Sequence, residues 1–127
     1  MKALSLHQPY AEMIVSGQKT IEIRSWRTPL REEFLVHAAK KIRLAECKRL
    51  NLSSKLPVGH IVGKAELVAI KKYDTQEQFD TDYNKHLAEP PVFSQPCYGF
   101  VLENPTRLDP PIPARGFLRF FNVQLDR

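Results

Sequence analysis

The sequence predicts an α+β protein, built as a mixed, largely antiparallel β-barrel of five to six strands with two to three peripheral helices. Apolar runs typical of strands recur along the chain, and no strand–helix–strand repeat of a doubly wound sheet interrupts them. With 127 residues, of which 43% are hydrophobic and 26% charged, we expect a single domain over residues 1–127 with one core.

The first predicted elements are a short strand, a helix and a glycine turn. Residues 3–6 are apolar, and His7, Gln8 and Pro9 are expected to break this strand. Pro9 suits the first position of a helix, and Gly17 suits the left-handed position after its end. The helix start would offer free N–H groups beside His7 and Gln8, where an anion such as phosphate can sit. Capping of the turn is the alternative for these two residues.

A charged strand follows the glycine. Residues 20–24 alternate polar and apolar side chains, so the two isoleucines are expected in the core and Thr20, Glu22 and Arg24 on the opposite face. Lys19 enters from the preceding turn. We predict that Lys19, Glu22 and Arg24 form one connected site with Glu22 ionised between the cations. A solvated edge with exposed ion pairs is the alternative.

This part of the chain resembles a known family. Residues 4–11 (LSLHQPYA) and 17–26 (GQKTIEIRSW) are similar to the signature of the ASCH (activating signal cointegrator homology) family, in the PUA-like superfamily of small β-barrels associated with RNA. The Gly-x-Lys-x-x-Glu-x-Arg core of the family is matched here by Gly17, Lys19, Glu22 and Arg24. The resemblance implies a PUA-like barrel for nearly the whole chain, and its specific part is residues 4–28.

The loop after the charged strand contains the only tryptophan of the chain. Trp26 is expected on the same side as Glu22 and Arg24, with Arg27 beside it. Burial in the core is the usual fate of tryptophan, whereas an exposed Trp between arginines would be a stacking platform for a base. The pattern leaves both interpretations open.

A buried strand and a basic helix are predicted next. Residues 34–39 are mostly apolar and are expected to be buried on both faces, with His37 as a core or rim histidine. Residues 40–50 are predicted as a helix rich in Lys and Arg, which is typical of a solvated surface. The basic face of this helix, which begins with Lys40 and Lys41, adjoins the loop after the charged strand, so it could instead extend a phosphate-binding surface.

The second half of the chain is predicted to complete the sheet. Residues 59–71 form a long strand in which Glu66 must face solvent or find a partner. Thr75 is expected to cap an acidic helix that ends at residues 89–91. Residues 98–102 are predicted as a strand, 105–113 as a proline-rich loop and 117–125 as the final strand.

The charge of the chain is unevenly distributed. Residues 19–49 hold nine Lys and Arg against four Glu, which accounts for the whole net charge of +5, whereas residues 74–90 are acidic. Such polarity is expected of a module that docks one face on a polyanion.

The two cysteines and the hydropathy pattern argue against a metal site and a membrane span. Cys47 and Cys97 lack metal-ligand spacing, so neither a metal nor a cofactor is expected, and lone thiols favour the reducing cytoplasm. No apolar run approaches the about 20 residues of a membrane span, so no membrane partner is expected.

The first hypothesis is a module that binds RNA or another single-stranded nucleic acid. Lys19 and Arg24 would hold phosphate, while Glu22 accepts hydrogen bonds from a base edge or orients the two cations. The candidate binding residues are His7, Gln8, Tyr10, Lys19, Glu22, Arg24, Trp26, Arg27, Lys40 and Lys41.

The second hypothesis is a nucleotide- or RNA-directed hydrolase. The resemblance extends to ASCH relatives that deacetylate an acetylated cytidine, a modified nucleoside, and to others linked with ribonuclease activity. In the amidohydrolase branch a Thr two residues before the Arg is the nucleophile and a Lys five before it activates that Thr. Here Lys19 is in place, but Glu22 occupies the Thr position and Thr20 is out of register. Glu22, Lys19 and Glu66 would then act as general acid and base. A protein-interaction module, the third hypothesis, rests on surface charge alone.

Overall fold

The computed structural model describes residues 1–88 and 93–125. Six strands occur in this part of the chain: β1 (Lys2–Gln8), β2 (Ile21–Arg24), β3 (Glu33–Ile42), β4 (His60–Tyr73), β5 (Cys97–Pro113) and β6 (Phe120–Asn122). Four short helices accompany them: α1 (Tyr10–Val15), α2 (Leu44–Arg49), α3 (Gln76–Thr81) and α4 (Tyr83–His86). The α+β class and the strand number are confirmed. The acidic segment forms two helices rather than one, and its predicted end at residues 89–91 lies outside the described residues.

The strands form one mixed sheet in the order β2-β5-β4-β3-β1-β6. β1 runs parallel to β3, and all other neighbours are antiparallel. Within residues 1–88 and 93–125, β2 and β6 are both edges, so the hydrogen-bonded ladder does not close into the predicted barrel. Side chains span the open seam instead: Arg24 Nη2 donates to Ser5 O at 2.9 Å, and the rings of Trp26 and Phe120 lie 5.9 Å apart.

The core lies between the curled sheet and α1. Its largest cluster consists of Leu4, Leu6, Ala11, Ile14, Val15, Phe34, Val36, Ala38, Val62, Ala65, Leu67, Phe100 and Leu102. Burial of these side chains supplies most of the driving force for folding. In a smaller cluster, Phe79 of α3 packs against Tyr73 and Cys97 of the sheet. No helix in the described ranges has the length and apolar character needed to cross a membrane.

Two of the predicted local signals are confirmed. Gly17 has a φ of +85° and follows the end of α1, where its N–H donates to Ile14 O at 3.0 Å. Thr75 Oγ1 accepts the N–H of Gln78 at 3.1 Å and so caps α3. Both signals depend only on the local backbone, which is why the sequence reveals them.

The boundary between β3 and α2 differs from the prediction. Residues 40–42 continue β3, so Lys40 and Lys41 do not begin a helix. Ile42 pairs with Gln8, and the N–H of Arg43 donates to Gln8 O at 2.7 Å. This pairing also keeps the end of β1 in the sheet, where a break after residue 6 was predicted.

The proline-rich segment also differs from the prediction. Residues 105–113 continue β5 rather than forming a loop, and β6 is limited to Phe120–Asn122. β2 pairs only with residues 98–101 of β5, so the later part of β5 has a strand partner on the β4 side alone. A proline can be accommodated there because its missing N–H faces no neighbouring strand.

Candidate nucleic-acid interface

The open seam of the sheet contains a cleft of about 590 Å³, a volume typical of small-ligand sites. β1 and α1 contribute one side of it, and β2 with its following loop contributes another. The lining residues are Ser5, Leu6, His7, Tyr10, Lys19, Glu22, Ile23, Arg24, Ser25, Trp26, Ala39, Arg43, Ala88, Phe117, Leu118 and Arg119. Among these described residues, Glu22 is the one carboxylate facing several cationic groups.

Lys19, Glu22 and Arg24 form one connected cluster in this cleft, as predicted. Lys19 Nζ lies 3.5 Å from Glu22 Oε1, and Arg24 Nε donates to Glu22 Oε2 at 2.8 Å. Lys19 Nζ also donates to His86 O. Glu22 is 8% exposed, so its two oxygens hold the two cations at fixed positions with little access to water.

Lys19 is buried to an extent unusual for lysine, with 3% of the residue exposed. Its Nζ lies 5.2 Å from the centre of the Tyr10 ring. Burial lowers the pKa of Lys19, and this effect outweighs the attraction of Glu22, which acts in the opposite direction. The surroundings of Lys19 therefore disfavour its protonated, positively charged form.

A second hydrogen-bonded network lies behind Tyr10. The Tyr10 hydroxyl donates to Glu46 Oε2 at 3.1 Å, and Arg49 Nε donates to Glu46 Oε1 at 2.7 Å. Arg49 Nη2 reaches Leu87 O at 2.8 Å. Burial raises the pKa of Tyr10 to about 12, with the charge of Glu46 adding to the effect. The network holds the aromatic side chain against the cleft, and sequence reasoning missed it because Glu46 lies on what was predicted as a solvated helix.

Trp26 contributes to both the core and the cleft. Its half-buried ring meets Phe100 edge to face at 5.1 Å and also packs on Phe120. The guanidinium carbons of Arg24 and Arg119 lie 6.0 and 5.2 Å from the ring. Part of the Trp26 ring is therefore packed in the core, and stacking on a base stays a prediction for the rest of it.

His7 lies on the cleft wall beside Arg43. Arg43 Nε donates to His7 Nδ1 at 3.2 Å, which requires a neutral imidazole with its proton on Nε2. Burial lowers the pKa of His7, and the charges of Arg43, Lys41 and Arg24 lower it further. His7 is thus an uncharged hydrogen-bonding group near neutral pH.

The structure places Gln8 in the interior instead of the cleft. Gln8 is 0% exposed, its Nε2 donates to Pro57 O, and its Oε1 accepts the N–H of Glu12, both at 2.9 Å. Gln8 thus occupies one N–H of α1 and holds the turn, as in the alternative of turn capping, whereas His7 bonds to Arg43 instead. The anion site at the start of α1 stays a prediction.

The other candidates from the sequence also lie outside the cleft lining. Thr20 precedes β2 and is not part of the lining, and its backbone bonds to Lys85 O and to the N–H of Leu102. Glu66 accepts from Asn104 Nδ2 at 2.9 Å on β4, away from Lys19. Exposed positions outside the lining are also found for Arg27, Lys40 and Lys41.

His37 is a satisfied core histidine, as expected. Its Nε2 donates to Ala114 O at 2.7 Å, so its Nδ1 accepts from the Ser5 hydroxyl at 2.9 Å. Arg43 and the segment 117–119 are cleft residues that the sequence did not indicate. The only local signal for the latter is an apolar pair between Arg115 and Arg119.

Comparison with known proteins agrees with this architecture. The ASCH domain family model matches residues 4–111. Activating signal cointegrator 1 from Mus musculus and from Homo sapiens are each 28% identical over 127 residues, and the alignments cover 89% of this chain and 20% of each relative. The chain thus spans about a fifth of the length of these relatives.

Solved structures of ASCH from Zymomonas mobilis resemble the chain. The crystal structure of ASCH from Zymomonas mobilis has a TM-score of 0.73 at 18% identity, covering 97% of this chain and 87% of that chain. A point mutant of the same protein has a TM-score of 0.70 at 19% identity with the same coverage. At this identity the likeness shows that the chain shares the fold of those structures. Together with the match over residues 4–111, it shows that the chain belongs to the ASCH domain family.

Proposed function

We propose that this ASCH domain binds RNA or another single-stranded nucleic acid in the cleft of the open seam. The observation that carries the proposal is the position of Trp26, whose half-exposed ring lies in the cleft with the guanidinium groups of Arg24 and Arg119 within 6.0 Å. A splayed base can stack on an aromatic face, and neighbouring guanidinium groups can donate hydrogen bonds to its phosphates. Membership of the ASCH family and the concentration of positive charge in residues 19–49 support the same function.

The cluster geometry suggests distinct roles for the cleft residues. Arg43 and Arg119 are exposed, and neither forms a salt bridge within residues 1–88 and 93–125, so they would supply electrostatic affinity for phosphate. Arg24 is held by Glu22 and Ser5 O, so it supplies a fixed direction instead. Glu22 offers an acceptor for an amino group on a base edge.

The intrinsic fluorescence of Trp26 tests this function directly, because the chain has no other tryptophan. We expect quenching on titration with oligouridylate, and an affinity that falls steeply with salt. Each lost phosphate contact should reduce the slope of log affinity against log salt by about 0.7. Arg43→Ala and Arg119→Ala should therefore flatten the slope, while Arg31→Ala, an exposed arginine outside the cleft, should not. Absence of binding at low salt would disprove the proposal.

A hydrolase acting on a modified nucleoside or on RNA is the second candidate, and the state of Lys19 favours it. Burial lowers the pKa of Lys19, and a buried lysine beside a carboxylate is a type of group that can serve in proton transfer. Glu22 would be its partner, whereas Thr20 and Glu66 lie away from the cleft. Incubation with acetylated cytidine and with mixed RNA, followed by chromatography, tests this. Turnover by the unmodified chain that disappears in Lys19→Met would show that the domain is an enzyme and would reject the binding module without catalysis.

We also infer a cytoplasmic protein. Cys47 and Cys97 are both buried free thiols, and such thiols persist in a reducing compartment. Fractionation of cells that express the chain, with thiol titration of the recovered protein, tests this inference. Recovery of oxidised thiols from an extracellular fraction would contradict it.

A further inference from the structure

The tip at residues 115–119 exposes apolar surface beside the cleft. Leu118 is 92% exposed and Phe117 55% exposed, and both side chains line the cleft. A single exposed leucine is common in folded proteins and needs no explanation. Two adjacent exposed apolar residues at the mouth of a charged cleft are a different case, because contiguous exposed apolar surface is a feature of ligand-binding grooves.

The tip is held firmly at its base. Ala114 O accepts from His37 Nε2 at 2.7 Å, and the N–H of Ala114 donates to Gly59 O at 3.1 Å. Gly116 is pressed against His37, since a Cβ there would lie 2.7 Å from His37 Cε1. β6 then pairs with β1 from Phe120 onward. A ligand that meets the tip therefore finds a surface that is already ordered.

Arginines flank the apolar pair on both sides. The guanidinium carbon of Arg115 lies 5.4 Å from the Phe117 ring, and that of Arg119 lies 5.2 Å from the Trp26 ring. Within residues 1–88 and 93–125, neither arginine forms a salt bridge. The tip thus offers an apolar centre with a positive charge at each end, which complements bases joined by phosphates.

We propose that the tip is a second nucleotide site: Phe117 and Leu118 pack against the base that neighbours the one stacked on Trp26. Arg115 and Arg119 contact the flanking phosphates. This inference rests on the proposed function and extends it to a ligand of at least two adjacent unpaired nucleotides. Unpaired bases stack on aromatic side chains such as Phe117 in proteins that bind single-stranded nucleic acids. A membrane surface is the less favoured partner, because Phe117 and Leu118 line a cleft that also contains the Trp26 ring and the Arg119 guanidinium group.

The test compares Leu118→Ser with Leu44→Ser, a control at a leucine that is 63% exposed on α2 and outside the cleft. With oligouridylate and Trp26 fluorescence as readout, Leu118→Ser should weaken binding about 5- to 10-fold, the loss expected for uncovering most of a leucine side chain. The quenching at saturation should not change, because the base on Trp26 still binds. Leu118→Phe should keep the affinity of the unmodified chain, because it retains an apolar side chain at this position. Leu44→Ser should not change the affinity.

Three other outcomes would each reject the proposed site at the tip, and the measurements distinguish them. Unchanged affinity of Leu118→Ser rejects the tip while leaving the cleft intact. Failure of the unmodified chain to bind rejects the tip together with the proposed function. Binding to phosphatidylserine–phosphatidylcholine vesicles that Leu118→Ser abolishes, without an effect on oligouridylate, assigns the tip to a membrane surface instead.

Discussion

Glu22 Oε1 lies 3.5 Å from Lys19 Nζ, while Glu22 Oε2 accepts a hydrogen bond from Arg24 Nε. One carboxylate thus sets the positions of two cations that approach from different directions. Since Lys19 is buried and Arg24 is half-buried, removal of Glu22 should affect them unequally.

Glu22→Gln should lower the pKa of Lys19 further. Burial already depresses this pKa, and the negative charge of Glu22 is the main influence that raises it. NMR titration of the lysine side-chain Nζ resonances measures the change. Glu33→Gln, which removes the exposed partner of Lys64, is the matched control and should leave Lys19 unaffected. An unchanged Lys19 resonance in Glu22→Gln would mean that the two groups are not coupled.

Trp26→Ala should weaken both RNA binding and the fold. Loss of a stacked base costs about 1–3 kcal/mol of binding free energy. The free energy of unfolding should fall by less than the about 3–5 kcal/mol of a fully buried aromatic residue, because the ring is half-buried against Phe100 and Phe120. Trp26→Phe should recover more of the stability than of the binding. Urea denaturation and titration with labelled RNA measure the two quantities, and unaltered affinity in a folded Trp26→Ala variant would contradict the stacking role.

The sequence predicted the site best where its residues are close in the chain. Lys19, Glu22 and Arg24 meet because alternation along one strand puts the last two on one face, and this needs no knowledge of topology. Arg43 and Arg119 reach the same cleft only because β3 pairs with β1 and β6 pairs with the other side of β1. Nothing in the local pattern reveals these pairings.

The errors in the predicted elements have the same origin. Residues 105–113 contain prolines that locally indicate a loop, yet the long partner β4 keeps them in the sheet. Gln8 has the sequence context of an exposed turn residue, but its amide lies between α1 and Pro57. In both cases a distant partner overrides the local preference.

Arg43→Ala should raise the pKa of His7 toward the ordinary value for histidine. Burial is the largest cause of the depression and remains in the variant, so the recovery should be partial. The positive charge of Arg43 and its hydrogen bond to Nδ1 disappear, and both favour the neutral ring. NMR titration of the imidazole protons follows the change, with Lys55→Ala as an exposed control. A lower His7 pKa in Arg43→Ala would contradict this assignment.

Asp82→Asn should destabilise the protein and weaken its sensitivity to acid. Burial alone would raise the pKa of Asp82, but hydrogen bonds from Lys71 and Tyr73, each at 2.6 Å, outweigh it and lower the pKa. A folded pKa below the unfolded value of about 3.9 means that Asp82 stabilises the fold above that pH. The contribution is lost as the pH falls through the folded pKa.

Urea denaturation at pH 7 and at successive acidic pH values measures this effect. The variant should lose about 1.5–3 kcal/mol at pH 7, the usual contribution of hydrogen bonds to a charged group. Asp74→Asn, which removes an exposed partner of Lys72, should lose much less. Equal losses in the two variants would show that the buried contacts of Asp82 do not stabilise the fold.

The seam between β2 and β6 differs from the boundaries between neighbouring strands in the kind of contact that joins its two sides. Each neighbouring pair within the sheet is joined by backbone hydrogen bonds, so bending the sheet at those lines breaks several of them at once. Across the seam, Arg24 and Trp26 provide contacts through side chains, which can slide or rotate without disrupting a ladder. Separating the sheet along the seam therefore breaks fewer backbone hydrogen bonds than separating it between any two neighbouring strands.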